Sequence, residues 1–397
     1  MLNEIKTMAG QLSGRLVELR REIHRHPEVA FTEERTAALV AAVLRESGIE
    51  ARTGVGRTGV VGLIRGERPG PTFAIRVDMD ALPIQEETGL PFASKVPGVM
   101  HACGHDANTT MGVGAGLILQ RLRERLAGNV KLIFQPAEEG AGGAEAMLAD
   151  GVMSDPAVDA IIAAHVEPRV GCGRVTVFYG TKLAACDIIE ITIRGRGSHA
   201  AHPDESNDVI VAAAQAVLAL QTIASRRVAP VEPVVVTIGM IQGGSAFNII
   251  PEEVVLRGTV RTLSAELRGK IPHLLTGVLD GATRAMGASY DLQISSMCPP
   301  LVHDRELTRL AESTCRELLG DEGVQVEERP SMGSEDYAFF AERAPATHLS
   351  VGSGRPGEEP PIAHAPHFDI DEDCLPIGAA ALAGVAARFL STAEQAT

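Results

Sequence analysis

Three short apolar runs each stop beside acids or a histidine: Phe73-Ala-Ile-Arg-Val77, Val130-Lys-Leu-Ile-Phe134 and Ala160-Ile-Ile-Ala-Ala164. Runs of this length, bounded by polar residues, read as buried strands. Helical periodicity lies around and between them. Leu12, Leu16, Leu19 and Ile23 share one face, a helix over about 32–47 meets its stop at Gly48, and a Gly-rich helix is predicted over 109–126. Strands alternating with helices predict an α/β fold, in which ligands bind at the carboxyl edge of the sheet.

The texture changes near Leu183. An alternating strand over 187–194 is followed by a helix over 208–226, strands over 233–241 and 253–261, a helix over 264–286 and a strand over 289–296. The order β-α-β-β-α-β is that of a ferredoxin-like unit. It predicts an insertion at 183–297 within a main domain made of 1–182 and 298–397. A chain of 397 residues is long enough for two cores.

A formal net charge of -15 and an aromatic share of 3% argue against nucleic-acid binding, which needs cationic surface and stacking platforms. The N-terminus, MLNEIKTMAGQLSGRLVELR, has no apolar core of a signal peptide. Apolar stretches such as 209–220 are too short to span a bilayer. A cytoplasmic protein, without membrane partners and with most of its six cysteines as free thiols, is the expectation.

Five places could carry chemistry. Asp78-Met-Asp80 ends the first strand; it is either an exposed strand end or a buried pair needing a cation or donors. In Met100-His-Ala-Cys-Gly-His-Asp106, Cys103 and His105 are donors suited to late divalent ions, and Asp106 could orient a ligating imidazole; the alternative is a helix start with a reactive thiol. In Gln135-Pro-Ala-Glu-Glu-Gly140, one glutamate could bind metal while its neighbour acts as general base, or both could be solvated. His165 ends the third strand, as a ligand or as a structural histidine. In His364-Ala-Pro-His367, one histidine could complete the set. Together these give candidate Cys, His, Glu, His and His ligands, enough for two metals.

The runs Arg76-Val-Asp-Met-Asp-Ala-Leu-Pro83, Met100–Asp106, Phe134–Gly140 and Gly197-Ser-His-Ala-Ala-His-Pro203 resemble the aminoacylase/carboxypeptidase family of metallopeptidases, in its subgroup of hippurate hydrolases and indole-acetyl-amino-acid hydrolases. The resemblance spans nearly the whole chain. It implies a mixed-sheet di-metal hydrolase domain with the ferredoxin-like unit as an inserted lid that often dimerises. It implies metal ligands at Cys103, His105, Glu139, His165 and His364, with Glu138 as general base and later acid and Asp80 orienting a ligand. Asp78 falls where related branches carry a ligating His and is not taken as a ligand. His199 is implied to hydrogen-bond the developing oxyanion, and Asn248, Arg261 and Gly333 to hold the substrate. Two positions depart from the subgroup's pattern: Asn108 stands where His is usual, and the loop Glu167-Pro-Arg-Val-Gly-Cys172 differs in wording.

The implied activity is hydrolysis of N-acyl amino acids, with two divalent ions (zinc, manganese, nickel or cobalt) as cofactors and a homodimer as the assembly. The rival expectations are a dipeptidase, an N-carbamoyl amino acid hydrolase, a thiol enzyme using Cys103, or a non-catalytic ligand-binding module.

Overall fold

The computed structural model describes residues 1–393. The chain divides into two compact units, one of Met1–Gly180, Val302–Arg329 and the chain from Asp336, the other of Thr181–Leu301 with Pro330–Glu335.

In the first unit the strands are β1 (Glu50–Val55), β2 (Gly59–Arg65), β3 (Arg68–Asp78), β4 (Ala127–Gln135), β5 (Ala160–Gly171) and β6 (Val175–Phe178). Those of the second unit follow: β7 (Ala185–Arg194), β8 (Val234–Gly243), β9 (Glu253–Thr262) and β10 (Ser289–Cys298). The chain then returns to the first unit for β11 (Val324–Glu327) and β12 (Ala346–Gly354). The principal helices are α1 (Leu2–Arg25), α2 (Glu34–Glu46), α3 (His105–Leu122), α4 (Val209–Leu220), α5 (Ala265–Arg284), α6 (Arg305–Leu319) and α7 (Cys374–Ala393).

The first unit is built on an eight-stranded mixed sheet of order β1-β2-β4-β3-β5-β12-β6-β11. Its centre, β4-β3-β5-β12, is parallel. The three predicted apolar runs are buried stretches of β3, β4 and β5. Helix α1 buries Ile5, Leu12, Leu16, Leu19 and Ile23, the spacing of one helical face, against the core. Helix α3 is buried along most of its length, and its glycines permit this. A Cβ at Gly112 would lie 2.7 Å from Val77 Cγ2, so only glycine allows the helix to sit this close to β3. The apolar window Cys374–Ser391 is longer than the 209–220 stretch and long enough to cross a membrane, but 72% of it is buried inside the unit. It is rich in Ala and packs with α1, α3 and α6. All six cysteines are free.

One buried cation organises the irregular segment between β4 and β5. Lys131 in β4 donates from Nζ to Val152 O at 2.8 Å, Ser154 O at 2.7 Å and Pro156 O at 2.8 Å. A three-donor ammonium thus satisfies three carbonyls that no strand or helix pairs.

The second unit has a four-stranded antiparallel sheet of order β8-β9-β7-β10. With α4 and α5 between the strands in sequence, this is the ferredoxin-like order predicted from the pattern. Ile189, Ile191 and Ile193 alternate along β7 and point into a core with Val254 and Leu256, against Ala212 and Ala216 of α4 and Leu275 and Leu279 of α5. Asp208 caps α4 through Ile210 N and Val211 N, and Ser264 caps α5 through Leu267 N. Helix α4 ends at Leu220, earlier than predicted, and a single π-helical turn, Ile223–Arg227, carries the chain on.

Candidate metal centre

Because β3, β4 and β5 run parallel side by side, their carboxyl ends emerge at one edge. Asp80 follows β3, Glu138 and Glu139 follow β4, and His165 lies within β5. Cys103 and His105 flank the start of α3. That helix begins at His105 rather than near Thr109, because Gly104 adopts a left-handed φ of 87° that turns the chain directly into it. A Cβ on Gly104 would lie 2.3 Å from Val166 Cγ2, so glycine is needed there for space as well. His364 comes from the loop before α7, held by its own N–H donating to Ala102 O at 2.8 Å.

These side chains converge. Cys103, His105 and His165 form one group whose donor atoms all lie within 4.8 Å of one another; Cys103, Glu139 and His364 form a second; His105, Glu138 and Glu139 form a third. Cys103 Sγ is 3.6 Å from His165 Nε2 and 3.4 Å from His364 Nε2. Glu139 Oε1 lies 3.1 Å from His364 Nε2 and 4.0 Å from His105 Nε2.

The rings are oriented to present Nε2. His165 Nδ1 donates to Val166 O at 2.8 Å. His105 Nδ1 faces Asp80 Oδ1 at 3.2 Å, while its buried Nε2 has no hydrogen-bond partner among the described residues. An orphaned imidazole nitrogen aimed at a carboxylate, beside a thiol shared by two donor groups, is what a pair of soft-to-borderline divalent ions requires. The residues present fit such ions.

The electrostatics agree. Burial pushes the Cys103 thiol up, but His105 and His165 outweigh it and bring it down to about 6. Burial lowers His165, yet Cys103 holds it up at about 9. Cys103 and Glu139 raise His364 to about 10. The cluster therefore attracts positive charge, and protons and divalent ions compete for the same lone pairs.

A layer behind the donors fixes them. Asp80 Oδ2 accepts from Glu139 N at 3.0 Å, so one carboxylate holds His105 and the Glu139 backbone together. The Ala137 N–H, where the backbone has φ 54°, donates to the buried carboxylate of Glu33 at 2.9 Å. Asp78 is buried; its Oδ2 accepts from Arg76 and its Oδ1 from Asn108. Arg76 also donates to Gln135 and Asp336, and Asp336 N donates to Glu138 Oε1 at 3.4 Å.

Asp106 does not orient a ligating imidazole. Its Oδ2 accepts from Arg20 Nε at 2.7 Å and lies 2.7 Å from His24 Nδ1, so it ties α3 to α1. Adjacent helical residues project about 100° apart, which turns Asp106 away from the face of His105. His367 also stands outside the cluster, with Nδ1 on Glu87 O. Glu33 and Asp336 were not singled out in the sequence, and Gln135 was quoted only as part of a run, because each acts on the site through a partner 100 residues or more away in the chain or from inside an apolar strand.

His199, Asn248, Arg261 and Gly333 belong to the second unit and sort into two pairs. His199 stands opposite Ile249 in a short strand pair, and Asn248 O accepts from Ala200 N at 3.0 Å. Arg261 Nη1 donates to Met332 O at 3.0 Å, and Gly333 O accepts from Ala184 N at 2.9 Å.

A mixed sheet with thiol, imidazole and carboxylate donors at its parallel edge places the chain among metal-using hydrolases. The model of the peptidase family M20/M25/M40 matches residues 74–388, and the chain belongs to that family. It is 37% identical to the N-acetyl-L-cysteine deacetylase of Bacillus subtilis over 97% of this chain and 90% of that one. It is 39% identical to the IAA-amino acid hydrolase ILR1-like 2 of Arabidopsis thaliana, over 94% and 85% of the two chains. Among solved structures, the Bacillus subtilis YXEP protein, a dinuclear metal binding peptidase of the M20 family, superposes with a TM-score of 0.84 at 35% identity, covering 96% of this chain and 99% of that one. The protein is a hydrolase acting on amide bonds.

Proposed function

We propose that the chain hydrolyses N-acyl amino acids to a carboxylic acid and a free amino acid, using two divalent ions held by Cys103, His105, Glu139, His165 and His364. The observation that carries this reading is the division between adjacent glutamates. Glu139 faces His105 and His364, whereas Glu138 shares the group with His105 but takes its backbone hydrogen bond from Asp336. This difference supports Glu139 as the ligand and Glu138 as the group that transfers the proton. The relatives that deacetylate N-acetyl-L-cysteine or hydrolyse IAA-amino acids add support by likeness.

When bound, the ions acidify water and polarise the substrate carbonyl; zinc, manganese, nickel and cobalt all suit these donors. Glu138 takes a proton from the attacking water and later gives it to the leaving nitrogen. Asp80 keeps His105 in the tautomer that leaves Nε2 free. His199 donates to the oxygen on which charge develops. Arg261 grips the carboxylate of the amino-acid half, with Asn248 and the Gly333 loop beside the substrate. The reading includes a homodimer formed through the second unit. It is supported by exposed apolar side chains on α4 (Leu218) and on the edge strand β8 (Ile241), a face that a monomer would leave wet. A cytoplasmic setting fits six free thiols.

Glu138→Gln is the test. With metal content unchanged, hydrolysis of an N-acyl amino acid should fall by about 10²–10⁴-fold. A wild-type rate would refute the assignment. Assaying N-acetyl, N-benzoyl, N-carbamoyl and dipeptide substrates side by side separates the proposed activity from its rivals.

A further inference from the structure

Two thiols of the second unit face each other across neighbouring strands. Cys186, near the start of β7, and Cys298, at the end of β10, are direct partners in the antiparallel register. Both are free and buried. The register shifts between Ser296 and Cys298, which makes Met297 the extra residue of a bulge. Its Sδ lies 3.6 Å from Cys186 Sγ. We infer that Cys186, Cys298 and Met297 form a site for one soft monovalent cation, copper(I), separate from the donors of the divalent centre.

The sheet brings the sulfurs together. Side chains alternate between faces along a strand, and Ile189, Ile191 and Ile193 point toward α4 and α5. Cys186 points to the other face, and Cys298 does the same, because directly opposed residues share a face. In a bulge two residues oppose one of the partner strand, which is how Met297 comes to meet Cys186. The Ser334 hydroxyl, from the segment Pro330–Glu335 of the same unit, reaches both thiol sulfurs. Cys298 Sγ also accepts from the N–H groups of Cys186 and Glu335. Met297 is half-buried, so the sulfurs are not sealed from solvent.

The donors choose the ion. Neither cysteine belongs to a group of three histidine, cysteine or carboxylate donors among the described residues, so the third donor at hand is the thioether. Zinc sites take four ligands from thiolate, imidazole and carboxylate, whereas a thiolate–thioether set selects copper(I). Burial pushes the Cys298 thiol up to about 11 and raises Cys186 as well. An entering ion must displace protons: two R–SH and one Cu⁺ give a bis-thiolate complex and two H⁺, with no change of oxidation state. The complex carries one negative charge. Arg261 and Arg268 favour that charge at Cys186, with Asp187 opposing them. The hydroxyl and two N–H groups that reach Cys298 support its thiolate in the same way.

The experiment adds copper(I), kept reduced by ascorbate under argon, to zinc-loaded protein in competition with a chromophoric copper(I) chelator. One copper(I) should bind with zinc retained, and its X-ray absorption should show sulfur neighbours without imidazole scattering. Cys186→Ser and Cys298→Ser should each weaken binding by more than about 100-fold, beyond what a residue that only supports a ligand contributes. Met297→Leu conserves core volume and keeps the fold testable if either serine variant fails to fold; it should weaken binding by about 10-fold or more. Wild-type binding should tighten as pH rises, because protons are released. No copper bound by the wild type, imidazole scattering around the bound ion, or undiminished binding by Met297→Leu and the folded serine variants overturns the site. Each of these outcomes leaves the hydrolytic function standing.

Discussion

Asn108 Nδ2 donates to Asp78 Oδ1 at 2.8 Å, and Asn108 Oδ1 accepts from Val166 N at 3.0 Å. One amide thus joins the end of β3 to the residue after His165 in β5. The orientation is dictated by its neighbours, since a carboxylate needs a donor and a backbone N–H needs an acceptor.

Asn108→Asp replaces the donor with a second buried carboxylate facing Asp78. It should lower metal affinity by about 10–100-fold and destabilise the protein by roughly 2–4 kcal/mol. Asn108→His keeps a donor on one ring nitrogen and an acceptor on the other, and should retain most of both. Metal titration against a competing chelator and thermal melting measure the two effects. An Asn108→Asp protein that binds metal as wild type does would show the bridge to be dispensable.

Asp80→Ala should be the costlier change at the candidate donors. It frees the His105 ring and strands Glu139 N together. A loss of about 10–100-fold in metal affinity is expected, with Asp80→Asn intermediate because it still accepts from Glu139 N but offers an amide to the ring. Equal losses for Asn and Ala would assign the whole effect to the His105 contact.

The predicted strands were legible because each is an apolar run that a sheet buries on both faces, and the candidate donors Glu139 and His165 were legible because they follow such runs. What could not be read is what lies behind them. Arg76 sits inside an apolar run, and its partners Gln135 and Asp336 are brought to it by β4 and by a segment far along the chain. Asp106 adjoins the candidate donor His105 in sequence yet faces α1, because helix geometry separates neighbours that sequence places together. The start of α3 was placed four residues late, since the left-handed turn at Gly104 leaves no mark in hydrophobic periodicity.

His24 links stability to pH. Burial works against its protonation, but Asp106 and Glu86 outweigh it and hold the imidazole above its ordinary value; Arg20 opposes them. A group raised in the folded state contributes fully below its unfolded value of about 6.5, and the contribution is lost as pH rises through the folded value. The melting-temperature gap between wild type and His24→Gln should therefore be widest in acid and narrow as pH rises above the unfolded value of about 6.5. A gap that widens with pH would mean that His24 is held neutral.

Lys131→Met keeps the length of the side chain and removes its donors. Three carbonyls lose their partner, two of them partly able to reach water, so a loss of roughly 2–4 kcal/mol is expected in denaturant unfolding. Faster proteolysis within 151–157 should accompany it, and an unchanged cleavage rate would show that this segment is held by other contacts.

The donors at 103, 105, 139, 165 and 364 come from positions on both sides of the second unit's chain segment. During synthesis the first four emerge long before the last, and His364 cannot join them until the intervening unit has been made and the chain has returned. A nascent chain can hold at most part of the cluster, and a cation caught then meets an incomplete donor set. The full donor set of the proposed two-ion site is therefore complete only when the chain has returned to the first unit.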